Sequence, residues 1–282
     1  MLRKALVNMI TLVVIISGFL LLIPKAQAQG NLIIMPRRVV FEGSKRTQVL
    51  NVANTGTDTA KYLISVVQYR MLENGNFESV TLPDSGQNFA DKNFRFFPRS
   101  VILAPNESQT IKVQVIGATQ LTAGEYRSHL YFRAVPNEKP LEKKDTAAFA
   151  KLMTIHLVPT FGIAIPVIIR IGSSLTEVKL SRPVIGVNSD GSPQLELSFS
   201  RSGAISVYGD VKVNHISLEG KITQVGLAKG FAIYTPNSIR HFLLNLDAKS
   251  GIDYHKGKLR VVFSTPPEAK SIVLASSELD LI

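Results

Sequence analysis

Apolar and polar residues alternate with a period of two along much of the chain. Ile111, Val113 and Val115 alternate with Lys112 and Gln114, and Leu195, Leu197 and Phe199 with Glu196 and Ser198. Val211 and Val213 stand among Asp210, Lys212 and Asn214. Leu259, Val261 and Phe263 repeat the pattern, which Val262 interrupts. Each run predicts a strand with one buried and one wet face. Turn signals separate the runs at Asn54-Thr55-Gly56, Asn74-Gly75, Ala104-Pro105-Asn106, Asp190-Gly191 and Lys256-Gly257. Asn-Gly and Asp-Gly tolerate the positive φ angles of tight hairpins. No amphipathic pattern of helical period exceeds two turns. Many short strands with frequent turns predict an all-β chain of antiparallel β-sandwiches.

The start of the chain breaks this pattern. Arg3 and Lys4 precede an uncharged stretch from Ala5 to Ile23, followed by Pro24, Lys25 and Ala26-Gln27-Ala28. A basic start, an apolar stretch and an A-x-A site predict a cleaved signal peptide over 1–28. The stretch also approaches the minimum for a membrane span, so the competing reading is an uncleaved anchor. Small residues at both ends of the A-x-A site, just after a helix-breaking proline, favour cleavage.

The remaining chain, about 250 residues, exceeds one sandwich and suits two. The boundary is expected near Ile171-Gly172-Ser173-Ser174, giving domains over 30–170 and 173–282. The charged, Pro-containing stretch Pro136 to Asp145 reads as an exposed loop within the first domain.

Residues 153–169 form the longest apolar run after the signal peptide. Its odd positions are Met153, Ile155, Leu157, Pro159, Phe161, Ile163, Ile165, Val167 and Ile169. One reading is two core strands broken at Pro159. The other is one long strand whose near part, Met153 to Leu157, offers apolar residues at a sheet edge. Such an edge is an aggregation hazard unless it pairs with another chain.

Composition narrows the chemistry. The chain has 282 residues and no Cys, which excludes disulfides, Cys-ligated zinc, iron–sulfur clusters, a thiol nucleophile and lipoprotein processing. Hydrophobic residues at 45% and charged ones at 19% argue against a disordered chain. A secreted chain without cysteine suits the bacterial periplasm. The net charge is +11; removing 1–28 takes away Arg3, Lys4 and Lys25 and no acid, leaving +8. Lys and Arg are scattered without interleaved aromatics, so nucleic acid is not the expected partner. His129, His156, His215, His241 and His255 have no metal-site spacing, and no hydrolase elbow or phosphate loop occurs. No catalytic residue, metal or cofactor is expected. Asn188-Ser189-Asp190-Gly191 reads as a hairpin turn, and Arg95, Arg99 and Arg127 as solvated strand faces.

Four blocks in order carry a family resemblance. Pro36 to Gly43 has the form of a first strand ending R-x-V-F-x-G, and Val49 to Asn54 that of a second strand closing on Asn. Phe97 to Pro105 with Gln109, Ile111 and Val113 follows P-x-x-x-x-L-x-P…Q-x-(I/V)-x-V. Glu125 to Pro136 follows E-Y-R-x-x-x-Y-F-R-x-x-P. The first domain thus resembles the PapD-like periplasmic chaperones of pilus assembly. The second domain matches only in length and β pattern.

The resemblance implies two immunoglobulin-like sandwiches and a chaperone that binds incomplete pilin-like subunits. Donor-strand complementation would offer Met153, Ile155 and Leu157 to the subunit core, before handover to an outer-membrane usher. It implies no small-molecule substrate. It also places Arg38 as anchor for the subunit's terminal carboxylate, for which a guanidinium fork is suited. A second anchor in the family is a Lys on the long strand. The matching position here is Gly162 or, with a shifted alignment, Ala164, and neither carries charge. The alternative is a secreted β-sandwich adhesion or scaffold protein with a chaperone-like fold and no strand donation.

Overall fold

The computed structural model describes residues 31–136, 160–173, 175–248, 251–267 and 271–281. Every regular element in them longer than three residues is a strand. The first sandwich pairs two sheets. One runs in the order β1 (Leu32–Met35), β3 (Thr47–Asn54), β9 (Ser108–Val115) and β7 (Phe94–Phe97). The other runs β2 (Val39–Phe41), β11 (Gly162–Ile171), β10 (Gly124–Val135), β4 (Ala60–Val67) and β8 (Ser100–Leu103). A hairpin of β5 (Tyr69–Met71) and β6 (Phe77–Ser79) stands beside them.

The second sandwich has the same plan. In one sheet β12 (Glu177–Leu180), β13 (Val184–Val187) and β17 (Ile239–Asn245) all pair with β14 (Pro193–Ser202). The other runs β16 (Ile222–Ile233), β15 (Val207–Ile216), β18 (Gly257–Ser264) and β19 (Val273–Leu281). Among the described residues the pairings are antiparallel except one: β2 lies parallel to β11, with Val39, Val40 and Phe41 opposite Val167, Ile168 and Ile169.

The period-two residues fill the two cores. Ile111 and Val113 of β9 meet Leu50, Val101, Leu130 and Phe132 in the first. In the second, Leu195, Val211, Val213, Leu259 and Val261 surround Phe199. The Phe199 ring lies 4.5 Å from that of Phe231 and 5.4 Å from that of Phe263, the latter edge-on. Burying each such side chain stabilises by about 1.5–3 kcal/mol, and the aromatic geometry adds to it. The interrupting Val262 is half-buried on the opposite face of β18. Between β13 and β14, Asn188 Oδ1 accepts from the N–H of Asp190 and of Ser192, and Gly191 takes φ +75°. That is hairpin chemistry.

Candidate functional site in the interdomain cleft

The site grows from the alternation in β10. Its even residues Leu130, Phe132 and Ala134 point into the first core. The odd residues Glu125, Arg127, His129 and Tyr131 therefore share the other face. Across the register they oppose Arg170, Ile168, Pro166 and Ala164 of β11. Beyond β11, Ile168 is opposite Val40. This face meets the second domain rather than water, and it divides into three zones.

The outermost zone is ionic. The Glu125 side chain is fully buried. Its Oε2 accepts from Arg170 Nε at 3.0 Å and from the Ser206 N–H at 3.0 Å. Its Oε1 accepts from the Ser206 hydroxyl and from Thr235 Oγ1 at 3.4 Å. Arg170 also pairs with Glu42 and donates to the Ser206 carbonyl at 2.8 Å. The carboxylate thus joins both domains and is satisfied on both oxygens.

The middle zone is a small apolar seam of Met71, Ile168, Ala232 and Tyr234, with Val40 and Tyr208 beside it. Arg127 is wedged against it, its guanidinium 4.1 Å from the Tyr234 ring centre. Arg127 is 2% exposed, against the expectation of a solvated face; Arg95 and Arg99 are exposed. Its Nη2 donates to the Thr235 carbonyl at 3.3 Å, while Nε and Nη1 are buried and have no hydrogen-bond partner among the described residues. Burial lowers its pKa. The second domain dries a strand face whose polar residues read as wet.

The inner zone opens into a cavity of about 540 Å³. The first domain lines it with Arg37, Arg38, His129, Ala164 and Pro166, and the hairpin with Tyr69, Met71 and Phe77. The second domain adds Tyr208, Lys229, Ala232, Tyr234 and Arg240. Among the described residues, four cations and no Asp or Glu line this space. Arg38 immediately precedes β2, and its guanidinium stacks 4.1 Å over the Tyr208 ring. Its Nε is buried and has no partner among the described residues. Burial first, then the charge of Arg170, lowers its pKa. A cation so placed is stabilised by an entering anion.

His129 is 3% exposed, and its Nδ1 has no partner among the described residues. Its ring packs edge-on against Tyr69 at 5.2 Å and Phe77 at 6.0 Å. Burial and the charge of Arg127 push its pKa down to about 3. The unfolded chain, titrating near 6.5, takes up this proton first as pH falls. The neutral histidine's contribution is complete above pH 6.5 and is lost as pH falls toward 3. Between pH 6.5 and 5, wild type should lose about 2 kcal/mol more than His129→Phe. Urea unfolding at both pH values checks this; equal losses would refute it.

Gly162 and Ala164 stand at the end of this face. A Cβ on Gly162 would lie 2.3 Å from the Tyr131 ring. Tyr131 thus occupies the space of any side chain at 162. Arg170 is engaged in the ionic zone, away from the cavity lining. Met153, Ile155, Leu157 and His156 lie outside the described residues.

The edge of β11 is the remaining feature. β2 covers only Val167 to Ile169. Among the described residues, Gly162 to Pro166 pair with β10 on one side and with no strand on the other. Phe161, just before them, is 57% exposed. Extending the parallel register by one residue puts Arg38 beside Pro166, where the uncovered edge ends.

No family model matches the chain, and no curated protein matches it. Solved structures do. The CsuC–CsuE chaperone–tip subunit pre-assembly complex of Acinetobacter baumannii Csu pili is similar at 13% identity and TM-score 0.43, over 87% of this chain and 99% of that one. The Pseudomonas aeruginosa CupB2 chaperone is similar at 15% identity and TM-score 0.42, over 89% and 100%. The Escherichia coli chaperone DraB gives 13% identity and TM-score 0.40, over 89% and 96%.

Proposed function

We propose that this protein is a periplasmic chaperone for incomplete β-sandwich subunits. A subunit strand pairs along the uncovered edge of β11, and its terminal carboxylate is held by Arg38. The observation that carries the reading is where that edge ends. β2 runs parallel to β11 and blocks the edge, with Arg38 at the blocked end. A strand laid beside Gly162 to Pro166 in the direction of β2 brings its carboxy terminus to Arg38. A strand in the opposite direction brings its amino terminus to a cationic cavity, which repels it.

Met153, Ile155 and Leu157 continue the parity of Ile163 and Ile165, and are the donated side chains in this reading. Main-chain bonds along the edge supply affinity, and alternate side chains filling the subunit supply specificity. The resemblance of the four sequence blocks supports a pilin-like client and an outer-membrane usher as recipient. Signal-peptide cleavage after Ala28 delivers the chain to the periplasm.

Arg38→Ala tests the anchor. A charge-assisted hydrogen bond contributes about 1.5–3 kcal/mol, so subunit affinity should fall about 10- to 100-fold. Amidating the subunit's terminus should weaken wild type equally and Arg38→Ala little further. Calorimetric titration reads this. Unchanged affinity in both arms rejects the anchor.

A further inference from the structure

The second domain brings its own cations to the cavity. Arg240 of β17 lies 4.0 Å over the Phe231 ring, and its Nη1 donates to the Ala232 carbonyl. Its Nε is buried and has no hydrogen-bond partner among the described residues. Burial pushes its pKa down to about 10, so the charge is held at a desolvation cost. No carboxylate forms an ion pair with it among the described residues. Lys229 stands exposed on the same wall.

Three observations converge on a ligand with more than one negative charge. Among the described residues the cavity walls carry Arg37, Arg38, Lys229 and Arg240 and no acid to offset them. The orphaned donors on Arg38 and Arg240 come from different domains. The space, about 540 Å³, lies within the range of sites that enclose an organic group rather than a lone carboxylate. β11 contributes only Ala164 and Pro166 to the lining, so it supplies no second charge.

We infer that Arg240 is a second, specificity-determining cation of this site: it takes an Asp or Glu side chain near the subunit's carboxy terminus while Arg38 takes the terminal carboxylate. The inference rests on the reading of Arg38 as the terminal-carboxylate anchor. One ligand then bridges the domains, and a neutral side chain at the chain end is bound less well. Arg240 touches the ligand alone in this role; it does not position Arg38.

The test uses four labelled peptides built on one alternating apolar strand sequence. They carry Glu or Gln within the last three residues and end as free acid or amide. Binding to the full mature chain is read by fluorescence anisotropy. Glu→Gln in the peptide should weaken wild type about tenfold and leave Arg240→Gln almost unaffected. Arg240→Lys should keep most of the preference. If Arg240→Gln does not fold, the peptide change against wild type and Arg240→Lys still decides. Equal binding of Glu and Gln peptides to wild type overturns the role of Arg240. If amidation also has no effect, the anchor reading fails too; if amidation weakens binding, only this inference fails.

Discussion

Glu125→Ala is expected to destabilise the protein by about 3–5 kcal/mol, because it removes one partner of a buried ion pair. The carboxylate accepts from Arg170, from the Ser206 N–H and hydroxyl, and from Thr235. Removing it leaves Arg170 with only the more exposed Glu42 as counter-charge. It also leaves a buried N–H on Ser206 without its acceptor, at a cost of about 1–3 kcal/mol. Those donors belong to both domains, so the loss falls on their junction. The apolar seam that remains, Met71, Ile168, Ala232 and Tyr234, is small. Scanning calorimetry should therefore show the single wild-type transition splitting into two. Glu125→Gln, which keeps the shape and part of the hydrogen bonding, should lose less. A single transition within about 1 kcal/mol of wild type would show that the seam and the remaining interdomain hydrogen bonds, such as Arg127 to the Thr235 carbonyl, couple the domains without Glu125.

Ile155→Asp combined with Leu157→Asp is expected to abolish subunit capture. In the strand-donation reading these side chains fill a partner's core. Each forfeits about 1.5–3 kcal/mol of burial, and each new carboxylate must be desolvated at further cost. The two together imply at least a hundredfold loss of affinity. If these side chains serve a partner's core and not the protein's own, stability of the protein alone should stay within about 0.5 kcal/mol. Pull-down of an incomplete subunit and thermal unfolding read the two halves. Retained capture would sink strand donation; lost capture with an unfolded variant calls for Ile155→Ser with Leu157→Ser. Hydrogen exchange gives an independent view, since a donor edge exchanges fast alone and slowly with subunit.

How much of this was legible in the sequence depended on what lay across from each strand. Residues facing their own core were plain: Ile111 and Val113, or Leu195 and Phe199, alternate with polar neighbours and are buried. Residues facing another domain were not. Glu125, Arg127 and His129 alternate with Tyr126, Ser128 and Leu130, in the period of a half-wet strand. Nothing in the period distinguishes water from a second domain. The signal available was chemical: three ionisable residues of different type on one strand face, with Arg170 and Ile168 on the even positions of the next strand. Arg38 was legible through the family's first-strand pattern. Arg240 and Lys229 were not, because they come from distant strands in the domain without recognisable motifs. That Arg240 meets the cavity depends on β17 pairing with β14, a contact between segments some forty residues apart.

The close fit of Tyr131 over Gly162 also constrains how this site could change by descent. A lysine at 162 collides with the ring unless the tyrosine first swings clear or is replaced by something smaller. Replacing Tyr131 alone opens a gap that Gly162 cannot fill. The residues at 131 and 162 therefore constrain each other: a side chain at 162 needs Tyr131 to take another rotamer or to be smaller.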